Sequence, residues 1–239
     1  MSPIQQMLLG AGGAVATKNY IDDVFSTYLW AGNGTSGRTI TNNIDVSGEG
    51  GLVWMKSRST GNVHVLFDTE RGANQRLRSD SNLAQNNTDT LQPSFTSSGF
   101  TVGSGNEVNG SGNNYTSWTF RKSPGFFDVV TYTGNGANRT IAHSLNSIPG
   151  CIMIKATDAS TDWYVWHRDL EDPKLNRLKL NANVAQAQNV TYWNQTLPTS
   201  TNFSLGTYGE TNGSGTEYVA YVFAGGESTA ATAVSVDFD

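Results

Sequence analysis

The sequence has little cysteine, little charge and no long apolar run, and each absence excludes a class of protein. Cys151 is the single cysteine, so an intramolecular disulfide and a cysteine-built zinc site are excluded. Lys and Arg together number 15 of 239 residues, too few for a basic face that binds nucleic-acid phosphates. No apolar run approaches the ~20 residues that cross a bilayer. We therefore expect no nucleic-acid partner and no membrane insertion.

Small uncharged residues dominate the composition. The chain holds 27 Thr, 26 Gly, 23 Ser and 23 Asn, and these residue types favour turns. Aromatic residues make up 10% and hydrophobic residues 37%, which is enough to fill a core. The composition predicts a β protein with a neutral surface, and it does not point to an enzyme.

The chain contains one unit twice. The clearest match is Asn-Gly-Ser-Gly followed by a tyrosine, at residues 109–115 and again at 212–218. The run Gly51–Lys56 likewise matches Gly150–Lys155, and the offset between matched positions stays between 99 and 103 residues. Internal self-similarity of this kind indicates tandem units. We divide the chain into an attachment segment, two repeats, and a tail or start of a following domain: residues 1–24, 25–123, 124–226 and 227–239.

Short β-type segments separated by turn residues fill both repeats. The predicted strands are Leu52–Lys56, Val65–Phe67, Phe100–Val102, Cys151–Lys155, Tyr164–Trp166 and Phe203–Leu205. This spacing predicts an all-β fold, an antiparallel β-sandwich of jelly-roll or concanavalin-like type. The short connection at 122–125 favours close packing of the two repeats.

The last strand of each repeat has two distinct faces. Trp118 and Phe120 share one face, and Tyr221 and Phe223 match them in the second copy, so we expect this face to form the core. Tyr115 and its counterpart in the second copy begin the opposite face, beside the Asn-Gly-Ser-Gly turn. They are expected either to cap the sandwich edge or to form a binding rim.

A short helix is predicted at the N-terminus. Ser2 and Pro3 suit a helix start, and Ile4, Met7 and Leu8 then share one face. About two helical turns are not stable alone in water, so this face must dock on a partner or on the body of the chain. The first lysine is residue 18, so no signal peptide is expected. We take Ile4, Met7 and Leu8 as candidate attachment residues.

No motif for catalysis, cofactor or metal binding withstands inspection. Gly32–Gly37 spells GxGxxG, but a dinucleotide site needs a helix next, and the β-branched Arg38–Thr41 follows. His64, His143 and His167 are far apart and fit no metal-binding spacing. We predict a non-enzymatic protein without cofactor. The sequence leaves open two alternatives, a distant carboxylate pair for glycoside hydrolysis and a calcium ion bound in a loop.

Aromatic residues close to polar turns are the candidates for carbohydrate contact. Sugars stack on such rings, while burial at the sandwich ends is the alternative role. The candidates are Trp30, Tyr115, Tyr192, Trp193 and Tyr218.

Several segments resemble a repeat domain of tail-fibre-like and other virion proteins of tailed bacteriophages, especially marine ones. In the first part of the chain they are Ser2–Met7, Asp23–Tyr28, Gly50–Arg58 and Leu66–Gly72. In the second repeat they are Pro124–Tyr132 and Ile148–Gly150. In addition, Ser235–Asp239 is similar to the first strand of a laminin-G/concanavalin-like domain. The family supplies no catalytic residue to transfer.

The resemblance implies a structural virion protein, most readily a tail fibre or appendage whose N-terminus docks on the particle. It implies other virion proteins as partners, a homo-oligomer such as a trimer, and assembly in the host cytoplasm. A β-sandwich body of this kind would support recognition of the host surface, with a glycan as a possible ligand. The alternatives are a lectin-like carbohydrate-binding module and a capsid decoration protein.

Overall fold

A computed structural model describes residues 20–87, 90–91 and 93–226. The candidate attachment residues Ile4, Met7 and Leu8 and the terminal segment 227–239 lie outside the described residues. The short helices of the described part are α1 (Ile21–Val24), just before the first strand, and α2 (Gly209–Asn212), just before the last. None of the helices in this part is long and apolar enough to span a membrane.

Repeat 1 forms a β-sandwich from a large and a small antiparallel sheet. Its large sheet has the order β1 (Phe25–Ala31), β9 (Asn114–Arg121), β3 (Gly51–Ser57), β4 (Val65–Asp68). Its small sheet has the order β2 (Arg38–Thr41), β8 (Gly99–Val102), β7 (Phe95–Thr96), and a separate ribbon pairs β5 (Gln75–Arg76) with β6 (Asn86–Asn87). Side chains from both sheets, among them Ile40, Val53 and Phe100, meet in one buried cluster.

Repeat 2 repeats this architecture. Its large sheet has the order β10 (Phe127–Thr133), β17 (Glu217–Ala224), β12 (Pro149–Ala156), β13 (Tyr164–His167), β14 (Asn176–Lys179), β15 (Ala187–Gln188). Its small sheet pairs β11 (Arg139–Ala142) with β16 (Asn202–Leu205). The prediction of an all-β antiparallel sandwich is confirmed, and β3, β4, β8, β12, β13 and β16 contain the predicted segments.

The two large sheets pack face to face, so the molecule has four layers. A third buried cluster joins side chains of both repeats, including Leu52 and Leu66 from one and Met153 and Val219 from the other. In β3, Leu52 faces this junction whereas Val53 belongs to the core of its own sandwich. A strand buried on both faces explains why β3 and β12 consist of nearly continuous apolar runs.

The junction corrects the expected core face of the last strands. Phe120, Tyr221 and Phe223 belong to the cluster between the repeats and not to the core of either sandwich. The Phe120 ring lies 5.4 Å from the ring centroid of Phe127 and also 5.4 Å from that of Phe223. The prediction of which side chains share a face of each last strand was correct. The assignment failed because both faces of the large sheets are buried, and only one of them packs within its own repeat.

Candidate functional site

The five aromatic carbohydrate candidates are all buried. Trp30 is 6% exposed and Tyr192 is 5% exposed, and Tyr115, Trp193 and Tyr218 are less exposed still. Their ring faces pack against protein. For example, Trp30 stacks on Tyr115 with ring centroids 5.5 Å apart. These rings therefore give no exposed stacking platform, and burial, the alternative role, is the one that the structure shows.

In repeat 1, the Asn-Gly-Ser-Gly motif closes a clasp between two loops. The buried Asn109 amide donates to Asn33 Oδ1 and to the Thr35 carbonyl, each at 2.9 Å, and its Oδ1 accepts from Asn33 N at 3.2 Å. The Tyr115 hydroxyl donates to the Asn106 carbonyl at 2.7 Å. At Gly32 a Cβ would lie 2.1 Å from the Gly110 carbonyl oxygen, so the loops approach too closely for any side chain.

Repeat 2 contains the same clasp. The Asn212 amide donates to the carbonyls of Ala137 (2.7 Å) and Gly206 (2.8 Å), and its Oδ1 accepts from Asn135 N at 3.1 Å. The Tyr218 hydroxyl donates to the Gly209 carbonyl at 2.7 Å. The most recognisable sequence motif of the chain is thus a structural device that ties the strand ends of each sandwich together.

The remaining sequence motifs also have structural roles. Gly32–Gly37 leads into strand β2 and not into a helix, so it lacks the helix N-terminus of a dinucleotide site. His64 Nδ1 accepts from Trp54 Nε1 at 2.9 Å, and His143 Nδ1 accepts from Leu145 N. Burial raises the pKa of Cys151 to about 11, which keeps the thiol protonated and poorly nucleophilic. Among the described residues, no His, Cys, Asp and Glu side chains group closely enough to hold a metal ion.

A buried polar network crosses the junction between the repeats. Arg71 Nε donates to Asp68 Oδ2 at 2.6 Å, and the Tyr221 hydroxyl of repeat 2 donates to the same oxygen at 2.7 Å. Arg71 also donates to the Gln75 carbonyl at 2.8 Å. Burial raises the pKa of Tyr221 well above its usual value, so its hydroxyl remains a donor at neutral pH. Because Asp68 already accepts several hydrogen bonds, it serves as a brace and not as a free base.

A cavity of about 300 Å³ lies at the edge of this junction. Lys122 reaches from its wall to Glu70 at 2.6 Å and to Asp128 at 3.4 Å. Asp128 also accepts from Val129 N and Ser144 N, at 2.9 and 2.7 Å. These groups are engaged with each other, and together they fasten the connection between the repeats.

A cluster of tyrosines distinguishes repeat 2 from repeat 1. Equivalent backbone hydrogen bonds show which residues of the two repeats correspond. Gly103 N donates to Leu91 O in repeat 1, and Gly206 N donates to Tyr192 O in repeat 2. In the same way, Gly105 N donates to Thr90 O as Tyr208 N does to Thr191 O. The repeat 1 residues Val65, Leu91 and Gly105 therefore correspond to Tyr164, Tyr192 and Tyr208. These three tyrosines together with Arg177 and Glu210 are called the tyrosine cluster.

The three tyrosines contact one another. The hydroxyls of Tyr164 and Tyr208 lie 3.0 Å apart, and the rings of Tyr192 and Tyr208 meet edge to face at 4.7 Å. The Arg177 guanidinium lies over the rings of Tyr164 and Tyr192, at 5.4 and 5.8 Å from their centroids. Burial first, and then the neighbouring Glu210, raises the pKa of Tyr164, so this hydroxyl stays protonated.

The two repeats treat the same arginine position differently. In repeat 1, Arg76 forms an ion pair with Glu107, and its Nε donates to Asn86 Oδ1 at 3.1 Å. In repeat 1 the residue opposite Arg76 on the neighbouring strand is Asn86, whereas in repeat 2 the residue opposite Arg177 is Ala187. Alanine has no side-chain acceptor, so Arg177 lacks the hydrogen bond that Arg76 makes to Asn86. Arg177 Nε and Nη1 and Glu210 Oε2 are buried atoms without a hydrogen-bond partner in the part of the chain described.

Comparison with known proteins identifies a family but no activity. A family model described as Domain of unknown function (DUF7483) matches residues 21–231. The chain belongs to this family. No curated protein and no solved structure matches it. Since the match spans both repeats, the DUF7483 domain corresponds to the whole four-layer body and not to a single sandwich.

Sequence reasoning missed the tyrosine cluster as a unit of the DUF7483 domain. It singled out Tyr192 because of its polar neighbours, and it did not consider Tyr164, Tyr208, Arg177 or Glu210. The signal was present in the comparison of the repeats, where aliphatic and glycine positions of one copy become tyrosines in the other.

Proposed function

We propose that the protein is a non-enzymatic structural component of the virion of a tailed bacteriophage, a tail fibre or appendage that docks through its N-terminal segment. The observation that carries the structural role is the four-layer body with its buried junction. The Asp68, Arg71 and Tyr221 side chains that could do chemistry at that junction are hydrogen-bonded to each other. The virion setting is supported by the sequence resemblance.

The architecture suits such a role. Two sandwiches that share a cluster of apolar and aromatic side chains form a rigid body without any disulfide, in a chain that has only Cys151. Such a body would hold its shape in a reducing cytoplasm during assembly and outside the cell afterwards. The candidate contacts to the particle are Ile4, Met7 and Leu8, and the proposed partners are other virion proteins and further copies of this chain.

The test is to locate the chain on particles. Virions carrying a C-terminal tag on this protein are imaged, once with the full chain and once with residues 2–13 deleted. We expect label at the tail that disappears on deletion. A matched variant, Leu29→Ser, changes an exposed leucine of the body and should leave the label in place.

Other positions of the label decide between the alternatives. Label spread over the capsid would make the chain a decoration protein. If purified particles carry no label with the full chain, the virion proposal fails.

A further inference from the structure

All four Asn-Gly dipeptides of the sequence lie in the two clasps. An asparagine that precedes glycine is especially prone to deamidation, because glycine has no side chain to hinder attack by its backbone nitrogen on the asparagine side chain. The sequence thus places its most labile asparagines in the feature that ties each sandwich together. The four dipeptides are Asn33-Gly34 and Asn109-Gly110 in repeat 1 and Asn135-Gly136 and Asn212-Gly213 in repeat 2.

Deamidation of such a dipeptide is intramolecular and consumes only water. The backbone nitrogen of the glycine loses its proton to solvent base and bonds to the asparagine Cγ, while the side-chain nitrogen takes up a proton and leaves as ammonia. The resulting succinimide ring takes up one water molecule and opens to aspartate or isoaspartate. The reaction therefore requires a glycine N–H that is free of other partners and accessible to solvent.

One Asn-Gly dipeptide of each clasp is exposed, and its glycine N–H is bound by the other dipeptide. In repeat 1, Gly34 N donates to the Asn109 carbonyl at 2.7 Å, and in repeat 2, Gly136 N donates to the Asn212 carbonyl at 2.7 Å. The asparagine side chains that precede these two glycines are exposed. Only the hydrogen bond of the closed clasp therefore restrains the exposed dipeptides.

The other dipeptide of each clasp has a fully buried asparagine, and a tyrosine hydroxyl binds its glycine N–H. Gly110 N donates to the Tyr115 hydroxyl at 2.8 Å, and Gly213 N donates to the Tyr218 hydroxyl at 2.9 Å. Burial keeps solvent base away, and the hydroxyl holds the nitrogen that would attack. Every glycine N–H that could start the reaction is thus engaged while the clasps are closed.

Deamidation of the buried asparagine would prevent the clasp from closing again. Asn212 Nδ2 donates to the carbonyls of Ala137 and Gly206. An ionised aspartate has only acceptor oxygens, so it would place a carboxylate against two carbonyl oxygens. The exposed asparagine differs, because Asn135 Oδ1 accepts from Ala137 N, and an aspartate oxygen can accept the same bond.

We propose that each clasp is an irreversible chemical switch, with Asn109 and Asn212 as the modification sites. While a clasp is closed, its hydrogen bonds keep both of its Asn-Gly dipeptides from deamidating. Once it opens, its buried asparagine is converted to aspartate or isoaspartate, and the clasp stays open. The inference goes beyond the proposed function and does not depend on it, because it concerns the chemical lifetime of the folded body.

The first experiment measures deamidation at each dipeptide of the full chain. The protein is incubated at mildly alkaline pH in heavy-oxygen water, which labels the product carboxylate, and peptide mapping by mass spectrometry gives a rate for each asparagine. We expect all four rates in the folded chain to be at least about tenfold lower than in the chain unfolded in urea. This comparison needs no variant, so it does not depend on whether any substitution folds.

Two variants each open one clasp and leave the other as an internal control. Tyr115→Phe removes the acceptor of the Gly110 N–H, and leaving that buried group unpaired should speed the loss of Asn109 at least about tenfold. The rate at Asn212 in the same molecules should stay unchanged. Tyr218→Phe should reverse the pattern, and circular dichroism checks that both variants remain folded.

A second pair of variants tests whether the product keeps a clasp open. Asn212→Asp installs the product, and hydrogen exchange at the Gly136 N–H should become at least about tenfold faster. Asn135→Asp, in the same clasp, should leave that exchange unchanged. Repeat 2 is the better test, because Arg38 of repeat 1 donates to the buried asparagine of its clasp at 3.3 Å and would attract a carboxylate there.

Three outcomes would overturn the inference. The first is deamidation in the folded chain as fast as in urea. The second is an equal rise at Asn109 and Asn212 in Tyr115→Phe, which would mean that asparagine is lost through unfolding of the whole molecule and not through opening of one clasp. The third is unchanged exchange at the Gly136 N–H in Asn212→Asp.

Discussion

Repeat 1 and repeat 2 share the same clasp, with Asn109 in one and Asn212 in the other, but they differ in where they keep buried charge. Repeat 1 pairs two buried arginines, Arg71 with Asp68 and Arg76 with Glu107. Repeat 2 has His167 where repeat 1 has Asp68, and the Arg177 guanidinium lies over the rings of Tyr164 and Tyr192. The shared parts maintain the sandwich, and the parts that differ lie at the junction and in the tyrosine cluster.

This difference separates what each copy contributes. Repeat 1 supplies the Asp68 carboxylate and the Arg71 guanidinium of the polar network at the junction. Repeat 2 supplies the Tyr221 hydroxyl, which donates a hydrogen bond to Asp68. In repeat 2, Arg177 lies over the rings of Tyr164 and Tyr192, whereas its counterpart Arg76 in repeat 1 forms an ion pair with Glu107. The two copies of the duplicated unit thus contribute different side chains to the same junction.

Removing the charge of Asp68 should have the largest effect on stability. Asp68→Asn leaves the Arg71 cation buried without its counter-ion, at a cost of about 3 to 5 kcal/mol in the free energy of unfolding. Urea denaturation followed by tryptophan fluorescence measures this loss. Adding Arg71→Met to Asp68→Asn should recover part of it, because the unpaired cation is then gone.

The control for this prediction is the same position in the other repeat. The His167 side chain is 43% exposed, so His167→Asn should change the free energy of unfolding by no more than about 0.5 kcal/mol. Equal losses in the free energy of unfolding for Asp68→Asn and His167→Asn would show that the buried network is not specific to repeat 1. Such a result would contradict the difference drawn between the two repeats.

Opening either clasp should have a smaller and similar effect. Asn109→Ala and Asn212→Ala each leave buried hydrogen-bonding groups unpaired, and each should cost about 2 to 3 kcal/mol. If the junction makes the molecule one cooperative unit, both variants shift a single urea transition. Two separate transitions in either variant would show instead that the sandwiches unfold independently.

The sequence predicted those features that depend on local pattern. It indicated the duplication, the main strands and the antiparallel sandwich, because apolar runs and turn residues report strand spacing directly. The sequence did not predict the junction between the repeats. An apolar side chain that packs within its own sandwich looks the same in the sequence as one that packs against the other sandwich. Asp68 and Tyr221 are 153 residues apart in the chain, and no spacing rule connects them.

The buried lysine of repeat 2 gives the last comparison, with a pH dependence. Lys155 is fully buried, and burial lowers its pKa to about 8, while its Nζ donates to the carbonyls of Ala156 and Ala159 at 2.6 and 3.1 Å. Between pH 8 and the usual lysine value of 10.5, the unfolded chain binds more protons than the folded one. The free energy of unfolding should therefore rise with pH in this window, by about 2.5 kcal/mol from this group.

Other groups also titrate in this range, so the contribution of Lys155 is measured as a difference. Urea denaturation is measured at several pH values for the wild type and for Lys155→Met. The contribution of Lys155 is the rise in the free energy of unfolding that the wild type shows and the variant lacks. Lys56 occupies the same position in repeat 1, binds the carbonyls of Ser57 and Thr60, and is only partly buried. If Lys56→Met alters the pH dependence of the free energy of unfolding as much as Lys155→Met does, burial of Lys155 is not the cause. If only Lys155→Met alters it, the cost of burying a charged lysine lies in repeat 2.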